Sequence, residues 1–129
     1  MIESILQLIH QGQTFLVASH ESPDGDAIGS TLALSGLLRE MGKDVVAYNR
    51  HHAPREYAFL PGCATIVSEL NDAAVFDVGF VLDAGELQRA GSWIKDRCGK
   101  LVNIDHHPCS EDFGDIYYVD TEACATAVV

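Results

Sequence analysis

The chain has 129 residues, 47% of them apolar, which is enough to build the core of one globular domain, small for a doubly wound sheet. Nineteen Asp and Glu against eight Lys and Arg give a formal charge of -11, so most of the surface repels nucleic acid backbones and anionic lipids. Any phosphate substrate must then be held by localised positive charge, for which bound metal ions are the simplest source.

In chain order, Ile2, Ile5, Leu6 and Ile9 recur at helical spacing, predicting an amphipathic helix over residues 2–11 that stops at Gly12 and covers a sheet face. His10 falls in its last turn, where a cation suits the helix dipole, and reads as structural. Residues 14–19, TFLVAS, form an apolar strand that runs into His20-Glu21-Ser22-Pro23-Asp24-Gly25-Asp26. Pro23 and Gly25 bend this loop so that Asp24 and Asp26 approach a common point, although Asp26 is equally placed to cap a following helix. That helix, residues 27–41, is apolar nearly all round and reads as buried, with Gly42 closing it; Gly29, Ser30, Ala33 and Gly36 permit close approach of neighbouring backbone. Its N-terminus faces the acidic loop and favours an anion there, a phosphate oxygen being one candidate.

A second strand covers residues 44–49 and leads into Arg50-His51-His52-Ala53-Pro54-Arg55, the one locally basic segment, read as a solvated loop or a phosphate contact. Residues 57–62 form a short helical turn, and residues 64–70 leave their type open. A third strand, residues 78–82, ends on Asp83, and a helix follows over about 86–98 with Leu87, Ala90, Trp93 and Ile94 at core spacing. The fourth strand, Leu101-Val102-Asn103-Ile104, delivers Asp105, His106 and His107. Residues 116–119 form a fifth strand, and Asp120-Thr121-Glu122 caps a helix beginning at Ala123. That helix has only begun when the chain ends without a stop signal, which predicts a piece of a longer protein.

Strand and helix signals alternate, and three strands end on Asp or His, so the expected fold is α/β: a parallel sheet flanked by helices on both faces, with chemistry at the carboxyl ends of the strands. Cys63, Cys98, Cys109 and Cys124 show neither a C-x-x-C pair nor a close His, so reduced thiols are expected rather than a zinc cage. Residues 1–4 lack the start of a signal peptide, and no apolar run approaches the ~20 residues that span a bilayer. The expectation is a cytoplasmic protein with no membrane partner.

The pattern His20-x-x-x-Asp24-x-Asp26-x-x-Gly29-Ser30, then Asp83, then Asp105-His106-His107 resembles the DHH phosphoesterase family from about residue 14 to the end of the chain. Three motifs in the right order make the resemblance specific, and it is nearest to the nano-RNase and 3'-phosphoadenosine-5'-phosphate phosphatase subgroup. The resemblance implies a two-manganese centre, with magnesium or cobalt as other ions, in which His20 and Asp24 hold one ion, Asp26 and His106 the other, and Asp83 bridges both. Asp105 then orients an imidazole, and His107 donates to the phosphate or protonates the leaving oxygen. It further implies a small-nucleotide or short single-stranded RNA substrate. The family also places another Asp ligand well beyond Asp-His-His, a position that Asp112, Asp115 and Asp120 do not match, and a C-terminal substrate-binding domain that residues 1–129 do not include.

Related readings are a cyclic-dinucleotide phosphodiesterase, an exopolyphosphatase or pyrophosphatase, or a metal- or nucleotide-binding module without turnover. A dinucleotide-binding Rossmann domain is a minor reading, because no G-x-G-x-x-G follows the first strand. A receiver domain would not need His20 and the His106-His107 pair. The unfinished helix and open cleft side predict exposed apolar surface, and with it self-association, a homodimer included, or poor order at the C-terminus.

Overall fold

The computed structural model describes residues 2–108 and 110–129; Cys109, counted above among the reduced thiols, and Met1 lie outside the described residues. Helix α1 (Ile2–Gln11) leads into β1 (Thr14–Ser19), α2 (Gly25–Glu40) and β2 (Asp44–Tyr48). After 3-10 turns at Arg55–Tyr57 and Cys63–Thr65 come β3 (Phe76–Leu82), two single helical turns α3 (Leu87–Ala90) and α4 (Ile94–Arg97), β4 (Cys98–Asp105) and β5 (Ile116–Val119). A last 3-10 turn covers Thr126–Val128.

The five strands pair in parallel in the order β2-β1-β3-β4-β5. Side chains alternate across β1: Phe15 and Val17 join Ile5, Ile9 and Leu38 on the face covered by α1 and α2. Leu16 and Ala18 join Ala90 and Ile94 on the opposite face. Both faces are therefore covered, as a parallel sheet requires. The chain leaves β1 toward β2 and returns to place β3 on the other side of β1, so the β1/β3 boundary is the point where strand order reverses and where open α/β sheets open a crevice for ligands.

Register sets what stands at that crevice. Ser19 pairs with Leu82 and Leu82 with Ile104, so the next residues, His20, Asp83 and Asp105, end three adjacent strands in a row. Neighbouring strands lie about 4.8 Å apart, close enough for all three side chains to interact.

Four predicted elements differ. The helix over 86–98 breaks into α3 and α4 because Gly91 adopts φ +140°, a conformation side chains rarely reach, and because Cys98 already pairs with Phe76 at the start of β4. Trp93 turns back at this break and meets the Tyr48 ring edge-on at 5.1 Å, as a core contact. The helix predicted from Ala123 is only the 3-10 turn Thr126–Val128, because its first donors are engaged elsewhere, as described below. Helix α2 starts at Gly25 and is buried on one side only, leaving Leu37 half exposed beside an apolar groove of about 230 Å³. Close approach is not what Gly29 and Gly36 provide, since a Cβ on either meets nothing within 4 Å. The turn expected over 57–62 instead begins earlier, at Arg55.

His10 is exposed in the last turn of α1. Cys63, Cys98 and Cys124 are free, and burial pushes the Cys98 thiol up to about 12. Among the described residues no helix is long and apolar enough to cross a membrane.

Gly42 takes φ +79° just past α2, where its N–H reaches the Arg39 carbonyl at 3.0 Å and the Lys43 N–H reaches the Leu38 carbonyl at 3.1 Å. This is a Schellman cap. One substitution therefore has opposite signs at two glycines. Gly42→Ala should lower stability by about 1 kcal/mol, whereas Gly36→Ala, in open helix, should raise it by about 0.5–1 kcal/mol; urea midpoints check both.

Candidate metal centre

Helix α2 begins where the loop after β1 turns, and Asp24 caps it: its Oδ1 accepts the Ala27 N–H at 2.9 Å. Asp24, not Asp26, is thus the N-cap, and the anion at this helix end is a carboxylate of the chain itself. Asp26, in the first turn, is held at both oxygens. The Thr126 N–H reaches Oδ2 at 2.8 Å, and the Ala127 N–H and Ser30 hydroxyl reach Oδ1 at 2.9 and 3.1 Å.

Asp83 lies at the centre. It is 1% exposed, has φ +59°, and its N–H continues the ladder to the Ile104 carbonyl at 3.0 Å. Its two oxygens face opposite ways. Oδ2 is 3.3 Å from His20 Nε2, while Oδ1 is 3.4 Å from His106 Nε2 and accepts the Thr126 hydroxyl at 3.0 Å. His20 Nε2 also lies 3.8 Å from Asp24 Oδ1, and His106 Nε2 lies 3.4 Å from Asp26 Oδ2.

The two imidazoles share one hydrogen-bond pattern. His20 Nδ1 is 2.6 Å from the Glu21 carbonyl and His106 Nδ1 is 3.2 Å from the Ala123 carbonyl. A carbonyl only accepts, so Nδ1 carries the proton and each neutral ring turns its Nε2 lone pair toward carboxylates. Lone pair against lone pair is repulsive unless a cation stands between them, and a backbone carbonyl on the distal nitrogen is the usual support of a metal-binding His. Among the described residues no Lys or Arg pairs with Asp24, Asp26, Asp83 or Asp105. Two of these, Asp83 and Asp105, are fully buried, where a charge is costly unless compensated. Imidazole nitrogen and carboxylate oxygen without thiolate suit a divalent metal ion.

Two groups of donor atoms lie within 4.8 Å of one another: His20, Asp24 and Asp83; and Asp83, Asp105, His106 and His107. Asp26 joins the second through His106. All seven residues singled out in the sequence therefore stand at one place. Asp105 is committed mainly to support: Oδ1 accepts the His106 N–H at 2.8 Å and His107 Nδ1 at 2.7 Å, and Oδ2 accepts the Ser110 hydroxyl at 2.8 Å. Among the described residues nothing pairs with His107 Nε2, and the side chain is 44% exposed.

Sequence reasoning missed several supporting residues. Buried Asn49 donates to the Ser19 hydroxyl and the His20 carbonyl at 2.9 and 2.8 Å and accepts the His51 N–H at 3.0 Å. His51 Nδ1 accepts the Ser22 N–H at 2.8 Å, so His51 braces the loop rather than pointing at the centre. Thr126, which touches both Asp26 and Asp83, sits in a run of small apolar residues whose spacing gives no signal.

Without a metal ion the ring takes a second proton and donates from Nε2 to Asp83, and this hydrogen bond raises the His20 pKa above 6.5, against burial and with help from the Glu21 carbonyl. Burial alone would raise Asp26, but the Thr126 and Ala127 amides outweigh it and hold the carboxyl below 3.8.

Residues 14–129 match the family model described as DHH family, N-terminal domain. The chain is 37% identical over 114 residues to the bifunctional oligoribonuclease and PAP phosphatase NrnA of Thermus thermophilus, covering 86% of this chain and 33% of that protein. It is 27% identical over 127 residues to the protein of the same name from Bacillus subtilis, covering 98% of this chain and 40% of that one. The crystal structure of an exopolyphosphatase-related protein from Bacteroides fragilis superposes with a TM-score of 0.88 at 29% identity, covering 97% of this chain and 40% of that one. The chain thus spans two fifths or less of the length of these relatives.

With divalent ions chelated, a raised His20 pKa means stabilisation that is complete below the unfolded value near 6.5 and lost as pH rises through the folded value. His20→Gln should therefore cost most stability near pH 6 and progressively less toward pH 8.5, read as urea midpoints in chelator.

Proposed function

This chain belongs to the DHH family, as its N-terminal domain, and from that premise we propose that it is the metal-binding domain of a phosphoesterase that hydrolyses small nucleotides or very short oligoribonucleotides. The observation that carries the reading is Asp83, whose two carboxylate oxygens face two separate imidazoles. One divalent ion is assigned to His20 and Asp24, a second to Asp26 and His106, and both to Asp83; manganese is the proposed ion, with magnesium and cobalt as substitutes.

When bound, such a pair supplies Lewis acidity toward phosphoryl oxygens and water. The chain's own residues do the rest. Glu21 and Ala123 carbonyls hold the Nδ1 protons of His20 and His106, keeping both Nε2 atoms available. Asp105 holds His107 through Nδ1, so that its Nε2 is oriented to donate to a phosphate oxygen or to give a proton to the departing ester oxygen. In the net reaction water adds to phosphorus, the P–O ester bond breaks, and the leaving alkoxide takes up a proton.

The NrnA relatives support 3'-phosphoadenosine 5'-phosphate and short RNA as substrates. The Bacteroides neighbour favours a second reading, hydrolysis of polyphosphate. The reaction is placed in the cytoplasm.

Calorimetric titration with manganese should give two ions per chain. Asp83→Asn should weaken both, and His106→Ala one, by more than the ~10–100-fold typical of losing an outer support. Hydrolysis of 3'-phosphoadenosine 5'-phosphate and of a triribonucleotide should require the metal and vanish in Asp83→Asn. Turnover of polyphosphate alone would move the assignment to the second reading, and absence of divalent binding would overturn both.

A further inference from the structure

We propose that the segment from Ala123 to Ala127 is a latch that builds the Asp26/His106 half of the centre, and that Thr126 is its positioning residue. This rests on the two-ion reading above and extends it to residues that touch no ion.

Every group assigned to that half is held by this one segment. The Ala123 carbonyl takes the Nδ1 proton of His106. The Thr126 and Ala127 amides, at the start of a 3-10 turn and so without partners inside it, donate to the two oxygens of Asp26 across about a hundred residues of chain. Thr126 is 4% exposed, and its hydroxyl donates to Asp83 Oδ1. A buried hydroxyl needs a partner, and this one fixes the oxygen that faces His106 while leaving Oδ2 to His20. The His20/Asp24 half is set by other means: Asn49 on the His20 carbonyl, the Glu21 carbonyl on Nδ1, and the start of α2 on Asp24. The two halves meet at Asp83 but have separate scaffolds.

The latch therefore predicts that its loss affects one ion and spares the other. Thr126→Val keeps the branched shape and both amides and removes only the hydroxyl; Thr126→Ser keeps the hydroxyl. Manganese binding is followed on the intact chain by the electron paramagnetic resonance signal of the free ion, with circular dichroism spectra compared. Two ions are expected for the parent chain. In Thr126→Val one should bind with unchanged affinity and the other ~10–100-fold more weakly, the range for losing a support behind a metal ligand. Thr126→Ser should restore it. The unaffected ion serves as the internal control for folding. Binding of both ions by Thr126→Val as in the parent chain overturns the latch while leaving the two-ion reading intact, and so does equal weakening of both. Fewer than two ions on the parent chain overturns the two-ion reading, and the latch with it.

Discussion

The arrangement depends on one buried carboxylate between two imidazoles. Asp83 is almost wholly removed from water, sits in the left-handed backbone region, and presents one oxygen to His20 and the other to His106. Asp tolerates that backbone better than most residues, at a cost of order 1 kcal/mol. The cost is borne because the residue is fixed on both sides: its N–H extends the β3 ladder onto β4, and its carboxylate accepts Thr126. A charge placed there demands positive compensation, and among the described residues only imidazoles pair with it.

The fold supplies this position by register rather than by loop design. Parallel pairing in the order β2-β1-β3-β4-β5 puts the strand-order reversal between β1 and β3, and the pairings Ser19 with Leu82 and Leu82 with Ile104 place His20, Asp83 and Asp105 side by side. A slip of one residue would send these side chains to the opposite faces. The apolar alternation of Phe15, Leu16, Val17 and Ala18 against two different core clusters prevents that slip, so packing of the two cores sets the geometry of the polar centre. Loops then refine it: Asn49 and His51 brace the loop after β1, and Asp105 with Ser110 braces His107.

Much of this was legible in the chain. The strands at 14–19, 78–82 and 101–104 are apolar runs that end on His or Asp, and all seven residues chosen for chemistry stand together. What failed was local reading where distant contacts decide. The helix from Ala123 looked sound by composition, but its first amides serve Asp26. The helix over 86–98 looked sound by periodicity, but one glycine at φ +140° ends it. Asp26 read as the cap, but the backbone places Asp24 just outside α2, as its N-cap, and Asp26 inside it. Thr126 and Asn49 carry no pattern at all, because their roles exist only once separate segments meet.

The most direct test of the central claim is an anomalous difference map at the manganese absorption edge from crystals of the chain grown with manganese. Two peaks are predicted, one among His20, Asp24 and Asp83 and one among Asp26, Asp83 and His106, with Asp83 shared. A single peak, or density away from Asp83, would contradict the account.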